Sequence, residues 1–220
     1  MKRRQRLRLL FTFVLLVSTS PSFSQSLKDF FSNKSTRLTY LGIDYTKNLF
    51  YKNPDADPTD IRDKYYTGIN DLVVKEQYDK SYDIGAAFGR KNTISIDLSA
   101  VTANNKKIDV TNIVSSRKSD FERLTETDIK NSVEALPLEG KEGIGLVFIM
   151  EGMKKISGKG YGSVWITLID MQTKEVLITE RIVREAEGFS FRNYWTSIIR
   201  KAIIEIDWSK YKEWKRKYTR

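Results

Sequence analysis

The chain has 220 residues, of which 40% are hydrophobic and 30% charged, and it contains no histidine and no cysteine. This composition is typical of one globular domain with its own hydrophobic core. Without histidine and cysteine, the chain cannot form a Ser-His-Asp triad, a cysteine protease site, the usual zinc sites or a disulfide bond.

The formal net charge of +10 is concentrated at the two ends of the chain. Residues 1–24 contain five basic residues and no acidic residue, and residues 209–220 have a net charge of +5. Residues 25–208 are therefore close to neutral. A nucleic-acid-binding domain carries its positive charge over a face of the fold, so we predict no nucleic-acid partner.

Residues 1–24 have the pattern of a signal peptide. Basic residues precede an apolar stretch of nine residues, Leu9 to Val17, and Ser22-Phe23-Ser24 places small side chains where signal peptidase cleaves. A membrane-spanning helix needs about 20 apolar residues. We predict cleavage and export to the periplasm or the extracellular space. Because the chain has no cysteine, we do not expect a lipid anchor.

Residues 25–37 form a predicted lead-in segment, whose Phe30 and Phe31 we expect to dock on the body. The folded domain is predicted for residues 38–206, and its first strand for Leu38 to Tyr45. A helix follows, with Asp57 as N-cap, Pro58 at the first position and Asp60 at the third position of a capping box. Its core face is the stripe Ile61, Tyr65, Ile69, Leu72 and Val73.

The middle of the chain predicts one more strand and one more helix. Tyr82 to Phe88 is expected to form a helical turn, and alternation from Ile94 to Leu98 predicts the second strand. Residues 102–118 are polar and are expected to form a loop. Ser119 and Glu122 match a capping box for a second helix that extends to about Leu136.

The last third predicts three strands and a helix. Ile144 to Met150 is apolar on both faces, which indicates a central strand, and Ser157 to Gly162 is expected to be a flexible link. Two strands flank the turn at residues 171–174, and a helix follows over residues 194–206. The order β-α-β-α-β-β-β-α predicts a single α+β domain, with helices packed on a mixed sheet.

The hairpin from Val164 to Ile182, VWITLIDMQTKEVLITERI, resembles a feature of bacterial envelope accessory domains. The matching residues are Leu168-Ile169-Asp170, Thr173 and Val176-Leu177, and the segment from Gly188 to Ile206 also fits. The resemblance is to the curli-secretion-channel and penicillin-binding-protein-activator group and to the N-terminal domain of TolB. It covers residues 140–206 and departs from the family at Lys174, where a glycine is usual.

This resemblance implies an exported domain that binds other envelope proteins and has no catalytic activity. The chain as a whole also resembles secreted proteins of Bacteroidetes-type bacteria. The turn itself predicts a local role for Asp170, because an aspartate there accepts hydrogen bonds from backbone N–H groups.

Three groups of residues are candidate chemical sites. Asp55, Asp57, Asp60 and Asp63 offer oxygen ligands for calcium, but their spacing differs from an EF-hand, and helix capping accounts for them without a metal. The segment 152–160 is glycine-rich but lacks the phosphate-loop pattern and precedes a strand. Glu134 and Glu151 are carboxylates that a glycosidase-type hydrolase could use. We predict no catalytic, cofactor-binding or metal-binding residue.

The C-terminal tail, residues 207–220, interleaves aromatic and basic side chains in the sequence DWSKYKEWKRKYTR. The core stripe of the preceding helix points about 145° away from these rings if the helix continues straight. In one interpretation the rings fold back onto the body. In the other, the tail contacts a partner protein or an anionic lipid surface. The predicted partner-binding residues are Trp208, Tyr211, Trp214, Lys215, Arg216 and Tyr218.

The sequence therefore favours an exported, non-catalytic binding or adaptor module of the bacterial cell envelope. Its expected partner is an envelope protein, with a membrane surface or an envelope polymer as a second target of the tail. Two alternatives stay open: a small carboxylate-based hydrolase of an envelope polymer, and a peripheral membrane or polymer binder that acts through the tail alone.

Overall fold

A computed structural model of the chain describes residues 27–79, 81–91 and 93–220. It confirms the predicted fold class, because one seven-stranded mixed sheet is covered by helices in a single α+β domain. The predicted signal peptide at 1–24 and the first two residues of the lead-in segment lie outside the described residues.

The sheet is organised around one long strand, β5. The strands are β1 (Leu38–Asp44), β2 (Leu49–Tyr51), β3 (Ile94–Ile96), β4 (Val114–Ser115), β5 (Ile144–Ile156), β6 (Lys159–Asp170) and β7 (Val176–Glu185). On one side, β5 pairs in parallel with β1 along its first half and with β2 along its second half. On the other side it pairs antiparallel with β6. The central strand predicted at residues 144–150 is thus confirmed.

The outer strands complete the sheet. β3 pairs with β1, β4 pairs with β2, and β7 pairs antiparallel with β6. Residues 144–150 of β5 form a continuous apolar run, because both faces of this strand are covered by helices, whereas only Ile178 and Ile182 of β7 are buried.

Helices cover both faces of the sheet. They are α1 (Leu27–Ser32), α2 (Pro58–Asp60), α3 (Tyr66–Lys75), α4 (Ile84–Ala87), α5 (Ser99–Asn105), α6 (Glu126–Glu134), α7 (Phe191–Glu205) and α8 (Tyr211–Tyr218). One face packs against α1, α3, α4, α7 and α8, and the other face packs against α5 and α6. Two π-helical turns, Ile61–Tyr65 and Ile206–Lys210, join α2 to α3 and α7 to α8.

The N-cap predicted at Asp57 is confirmed, since its carboxylate accepts the N–H groups of Thr59 at 2.8 Å and Asp60 at 3.2 Å. The capping box predicted with Asp60 is wrong, because no hydrogen bond joins the Asp57 N–H to the Asp60 carboxylate among the described residues. This carboxylate pairs instead with Lys64 Nζ at 2.7 Å. The lead-in segment also behaves as expected, because Phe30 and Phe31 are buried in the core.

The capping box predicted at Ser119 and Glu122 is wrong. Residues Lys118–Glu122 form a 3-10 turn. A hydrogen bond from Ser115 Oγ to the buried carboxylate of Asp120, at 2.6 Å, holds this turn in place. The helix α6 starts later, where Thr125 and Asp128 form the capping box. The same sequence pattern occurs twice in this segment, and tertiary hydrogen bonds select the second copy.

Two expected connections are also structured. Residues 102–118, predicted as a loop, contain the end of α5 and the strand β4, and β2 was not predicted at all. The flexible link predicted at residues 157–162 is wrong. Ser157 and Gly158 form a two-residue turn with φ angles of 52° and 80°, as in a type I′ hairpin, and β6 starts directly at Lys159.

Gly162 in β6 allows the helix α7 to pack closely on the sheet, and it does not mark a flexible segment. A Cβ atom at Gly162 would lie 2.9 Å from Ile198 Cγ1 of α7, so only glycine allows this approach of α7 to the sheet.

Candidate functional site

The tail continues the C-terminal helix and packs on the body. Trp214 is 3% exposed and lies among core residues, and its indole Nε1 donates to the Glu180 carboxylate at 2.6 Å. The rings of Tyr211 and Tyr218 pack on Phe31 at centroid distances of 5.8 and 6.1 Å. Most of the tail's aromatic surface therefore packs against the rest of the domain.

The π-helical turn explains why the rings face the core. An α-helix rotates by 100° per residue, and a π turn holds about one residue more than an α turn. The turn at Ile206–Lys210 therefore rotates the following residues back by about 100°. This rotation brings Tyr211, Trp214 and Tyr218 close to the direction of the core stripe of α7, and it leaves Trp208 outside.

The other predicted partner-binding residues differ in exposure. Trp208 is 78% exposed, Arg216 is exposed and Lys215 is half-buried. No salt bridge involves Lys215 or Arg216 in the part of the chain that the structure describes. Of the four tail rings, Trp208 alone stays available to a partner as a whole side chain.

The tail helix borders a second feature, the outer edge of β7. Within the described ranges, β7 pairs only with β6. The Ala186 N–H donates to the Gly160 carbonyl at 2.8 Å, which fixes the alternation of this antiparallel pair. By that alternation, the backbone N–H and C=O groups of Thr179, Arg181 and Val183 point away from β6.

Side chains occupy only part of this edge. The Val183 carbonyl accepts from Arg184 Nη1 at 2.7 Å, and the Glu185 carbonyl accepts from Lys201 Nζ at 2.8 Å. No hydrogen bond to the outward backbone groups of Thr179 or Arg181 is found among the residues that the structure describes. The first half of β7 is thus an open strand edge.

Two helices turn this edge into a groove of about 330 Å³. Its floor is β7 from Val176 to Glu180, one wall is α8 and the other is α6. Trp214, Lys217 and Tyr218 line the α8 wall, and Glu126 and Lys130 line the α6 wall. We call this feature the β7 groove.

The β7 groove is lined by two lysines and two glutamates, and its unpaired charges are two positive against one negative among the described residues. Lys130 and Lys217 form no salt bridge within the described ranges, whereas the Glu180 carboxylate is neutralised by Lys210 Nζ at 2.7 Å. Glu126 is the one lining carboxylate left unpaired among the described residues.

Of the residues that line this groove, the sequence predicts only Trp214 and Tyr218 of the α8 wall as binding residues. Thr179, Lys130 and Lys217 were not predicted, because no local pattern shows that β7 is the last strand of the sheet. The alternation in Val176–Glu185 does indicate a strand with one exposed side, and it is the only local signal for this site.

The other predicted sites have local roles. Asp55 pairs with Lys155 at 2.6 Å and Asp63 with Arg62 at 2.6 Å, in addition to the roles of Asp57 and Asp60 described above. Among the described residues, no group of three acidic, histidine or cysteine side chains is arranged to hold a metal ion. Asp170 accepts the N–H groups of Gln172 and Thr173, as predicted from the turn.

The carboxylates weighed for hydrolysis are not arranged as an open active site. Glu151 is fully buried on β5, where Oε2 accepts from Ser163 Oγ at 2.9 Å and from Trp165 Nε1 at 3.0 Å, and Oε1 accepts the Leu124 N–H. Glu134 is exposed at the end of α6. Glu151 therefore ties the segment before α6 to the sheet.

In the described part of the chain, no helix combines the length and the apolar character that crossing a bilayer requires.

Comparisons with known proteins give distant likenesses. No protein-family profile matches the chain, and no curated protein matches it. Solved structures similar to it include a hypothetical protein of Chlamydia trachomatis, with 7% identity over 81% of this chain and 98% of that one and a TM-score of 0.38. Another is a lipoprotein of Neisseria meningitidis, with 10% identity over 77% and 96% and a TM-score of 0.32. The resemblance to envelope accessory domains stays a prediction.

Proposed function

We propose that this protein is an exported, non-catalytic adaptor module of the cell envelope, and that it binds an extended acidic segment of a partner protein in the β7 groove. The observation that carries the proposal is the open edge of β7 between two helices. Export is expected from the signal-peptide pattern of residues 1–24.

An open strand edge is a binding surface for extended peptides. A peptide that adds to the edge forms main-chain hydrogen bonds to the outward groups of Thr179 and Arg181, and its alternate side chains enter pockets on either side. The five residues from Val176 to Glu180 span about 17 Å, which suits a segment of about five residues. The helices α6 and α8 restrict access to one strand and so hinder unspecific edge pairing.

The charge of the groove favours an acidic segment. Side chains of an added strand that point towards α8 meet Lys217, and those that point towards α6 meet Lys130. Both lysines lack a salt-bridge partner among the described residues, and the neighbouring Arg216 also lacks one. Charge complementarity of this kind mainly sets specificity and association rate.

The test uses two fluorescent heptapeptides, TEVEVET and TKVKVKT, and the mature chain with residues 25–220. Fluorescence anisotropy measures their affinities. We expect the acidic peptide to bind at least about tenfold more tightly than the basic one, equivalent to about 1.4 kcal/mol. The double variant Lys130→Glu with Lys217→Glu should reverse this preference. The control Lys212→Glu reverses a single charge on α8, outside the groove, and should leave the preference unchanged.

Backbone pairing is tested separately. Thr179→Pro removes the outward N–H at the centre of the groove, at an edge position where proline leaves the ladder with β6 intact. Thr179→Ala keeps this N–H and loses only the hydroxyl contact to Thr167. Loss of peptide binding in the proline variant alone supports strand addition. Equal binding by both variants, or equal affinity for the two peptides, would contradict the proposal.

A further inference from the structure

A polar cavity of about 420 Å³ lies at the carboxyl end of β1. Its walls come from the turn between β1 and β2, the end of α5 with the loop that follows, and one side of α6. This volume is in the range of small-molecule sites, which is about 300–1,000 Å³. The cavity and the β7 groove are separate sites, because no residue lines both.

The cavity is unusually rich in side-chain amides. Asn48, Asn104, Asn112 and Asn131 line it. Asn48 is 3% exposed and donates through Nδ2 to the Tyr66 hydroxyl at 2.8 Å, while its buried Oδ1 has no hydrogen-bond partner among the described residues.

The other amides add donors and acceptors around the same space. Asn104 Nδ2 donates to the Ala135 carbonyl at 3.3 Å, and Asn112 Nδ2 donates to Asp109 at 2.6 Å. An amide side chain pairs a donor with an acceptor, so it complements a hydroxyl pair in which one group donates and the other accepts.

Three cations share the cavity wall with one carboxylate. Lys47, Lys107 and Arg123 are the cations, and the carboxylate of Asp109 is already held by Thr111 at 2.7 Å and by Asn112. The lining is therefore net positive.

Arg123 is the cation whose orientation is best defined. Its guanidinium donates to the carbonyls of Asp120 at 2.9 Å, Glu151 at 3.0 Å and Lys47 at 2.6 Å, so its orientation is fixed. It forms no salt bridge in the described ranges, and burial lowers its pKa. The charges of Glu151, Asp120 and Asp128 oppose this lowering only in part. A half-buried, oriented guanidinium that no salt bridge neutralises in the described ranges suits the carboxylate of a ligand.

We propose that this cavity binds a sugar carboxylate of monosaccharide size, a hexuronate. The sugar hydroxyls pair with the amides of Asn104, Asn112 and Asn131, and the carboxylate lies near Arg123 and Lys107. Neither a neutral sugar nor a simple anion satisfies both sets of groups. This inference does not depend on the β7 groove.

The test titrates the mature chain with D-glucuronate, D-glucose and acetate, followed by amide chemical shifts in NMR spectra. We expect saturable shifts around the cavity with D-glucuronate, and at least about tenfold weaker binding of D-glucose and of acetate. Lys107→Ala should weaken D-glucuronate binding by at least threefold. Lys106→Ala is the matched control, because Lys106 is exposed next to it but does not line the cavity.

Both lysine variants are expected to fold, since neither side chain is buried. The proposal is overturned if D-glucuronate produces no saturable shifts, if acetate or D-glucose binds as tightly, or if the two lysine variants bind equally well.

Discussion

At the scale of single residues, Asp44 is a buried carboxyl group whose charge the fold compensates only in part. It is 1% exposed at the end of β1, and the Thr46 N–H donates to its Oδ1 at 2.7 Å, while Oδ2 has no partner with hydrogen-bond geometry among the described atoms. Burial raises the pKa of Asp44, and the interactions with Thr46 and Asn104 and the charge of Lys47 oppose this effect only in part.

We predict that Asp44→Asn stabilises the protein at neutral pH. Since the pKa of Asp44 is higher in the folded than in the unfolded state, its contribution is fully present below the unfolded pKa of about 3.9 and is lost as the pH rises through the folded pKa. The amide keeps the acceptor for Thr46 and removes the ionisation. Urea unfolding at neutral pH should show a higher free energy of unfolding for Asp44→Asn than for the natural chain.

Asp97→Asn is the contrasting control for that experiment. Hydrogen bonds from Lys141 and Ser99 lower the pKa of Asp97 to about 2. Its contribution to stability is therefore present above the unfolded pKa and lost as the pH falls, so Asp97→Asn should destabilise the protein at neutral pH. A loss of stability in Asp44→Asn would show that the Asp44 carboxylate has a partner that compensates its charge.

The sequence predicts residues with local partners better than residues with distant ones. Asp57 and Asp170 accept hydrogen bonds from backbone groups two or three residues away, and both roles were predicted. Glu151 accepts from Leu124, Ser163 and Trp165, which lie 12 to 27 residues away on other elements. No local pattern reveals such a partner, so Glu151 was weighed as a catalytic group.

At the scale of elements, the π-helical turn at Ile206–Lys210 decides what the tail does. A sequence-based helical wheel assumes 3.6 residues per turn throughout, and on that assumption the tail rings face solvent. The single extra residue of a π turn is not visible in composition or periodicity. The sequence therefore predicts a helical aromatic tail but not its direction, and the packed interpretation follows only from the structure.

We predict that deletion of Ser209 turns α8 away from the core. The deletion should convert the π turn to an α turn and rotate Trp214 by about 100°, because each residue contributes this rotation. Trp214 then becomes exposed. The fluorescence emission of the chain should shift to longer wavelength, and the melting temperature should fall.

Ser209→Ala is the matched control for the deletion. It removes only the hydroxyl contact to the Glu205 carbonyl at 3.2 Å and keeps the residue count of the turn. Its fluorescence and melting temperature should match those of the natural chain. A deletion variant with unchanged tryptophan emission would show that the extra residue does not set the direction of α8.

At the scale of the whole molecule, the two ends of the described chain stabilise each other. Phe31 of α1 packs between Tyr211 and Tyr218 of α8. Arg90 ties α1 to the body, since its guanidinium donates to the carbonyls of Phe30, Asn33 and Thr36. The lead-in segment and the tail are both parts of one core.

The sequence predicts the fold class and most long elements, but not the strand order. The hairpin of β6 and β7 is local in sequence, so its pattern is readable from residues 164–182. The placement of β1 and β2 end to end along β5 depends on contacts about 100 residues apart, and β2 is only three residues long. The β7 groove and the polar cavity both depend on this non-local arrangement and were not predicted.

We predict that a chain ending at Trp208 is strongly destabilised. The truncation removes Trp214 and Tyr218 and exposes Phe31, and replacing one buried tryptophan by alanine alone costs about 3–5 kcal/mol. Thermal unfolding of the truncated chain should occur well below that of the mature chain. Trp214→Ala should account for a large part of the loss, whereas Arg216→Ala, at an exposed position of the same helix, should have little effect. If the truncated chain is as stable as the mature one, α8 is not part of the core, and the α8 wall of the β7 groove is not fixed.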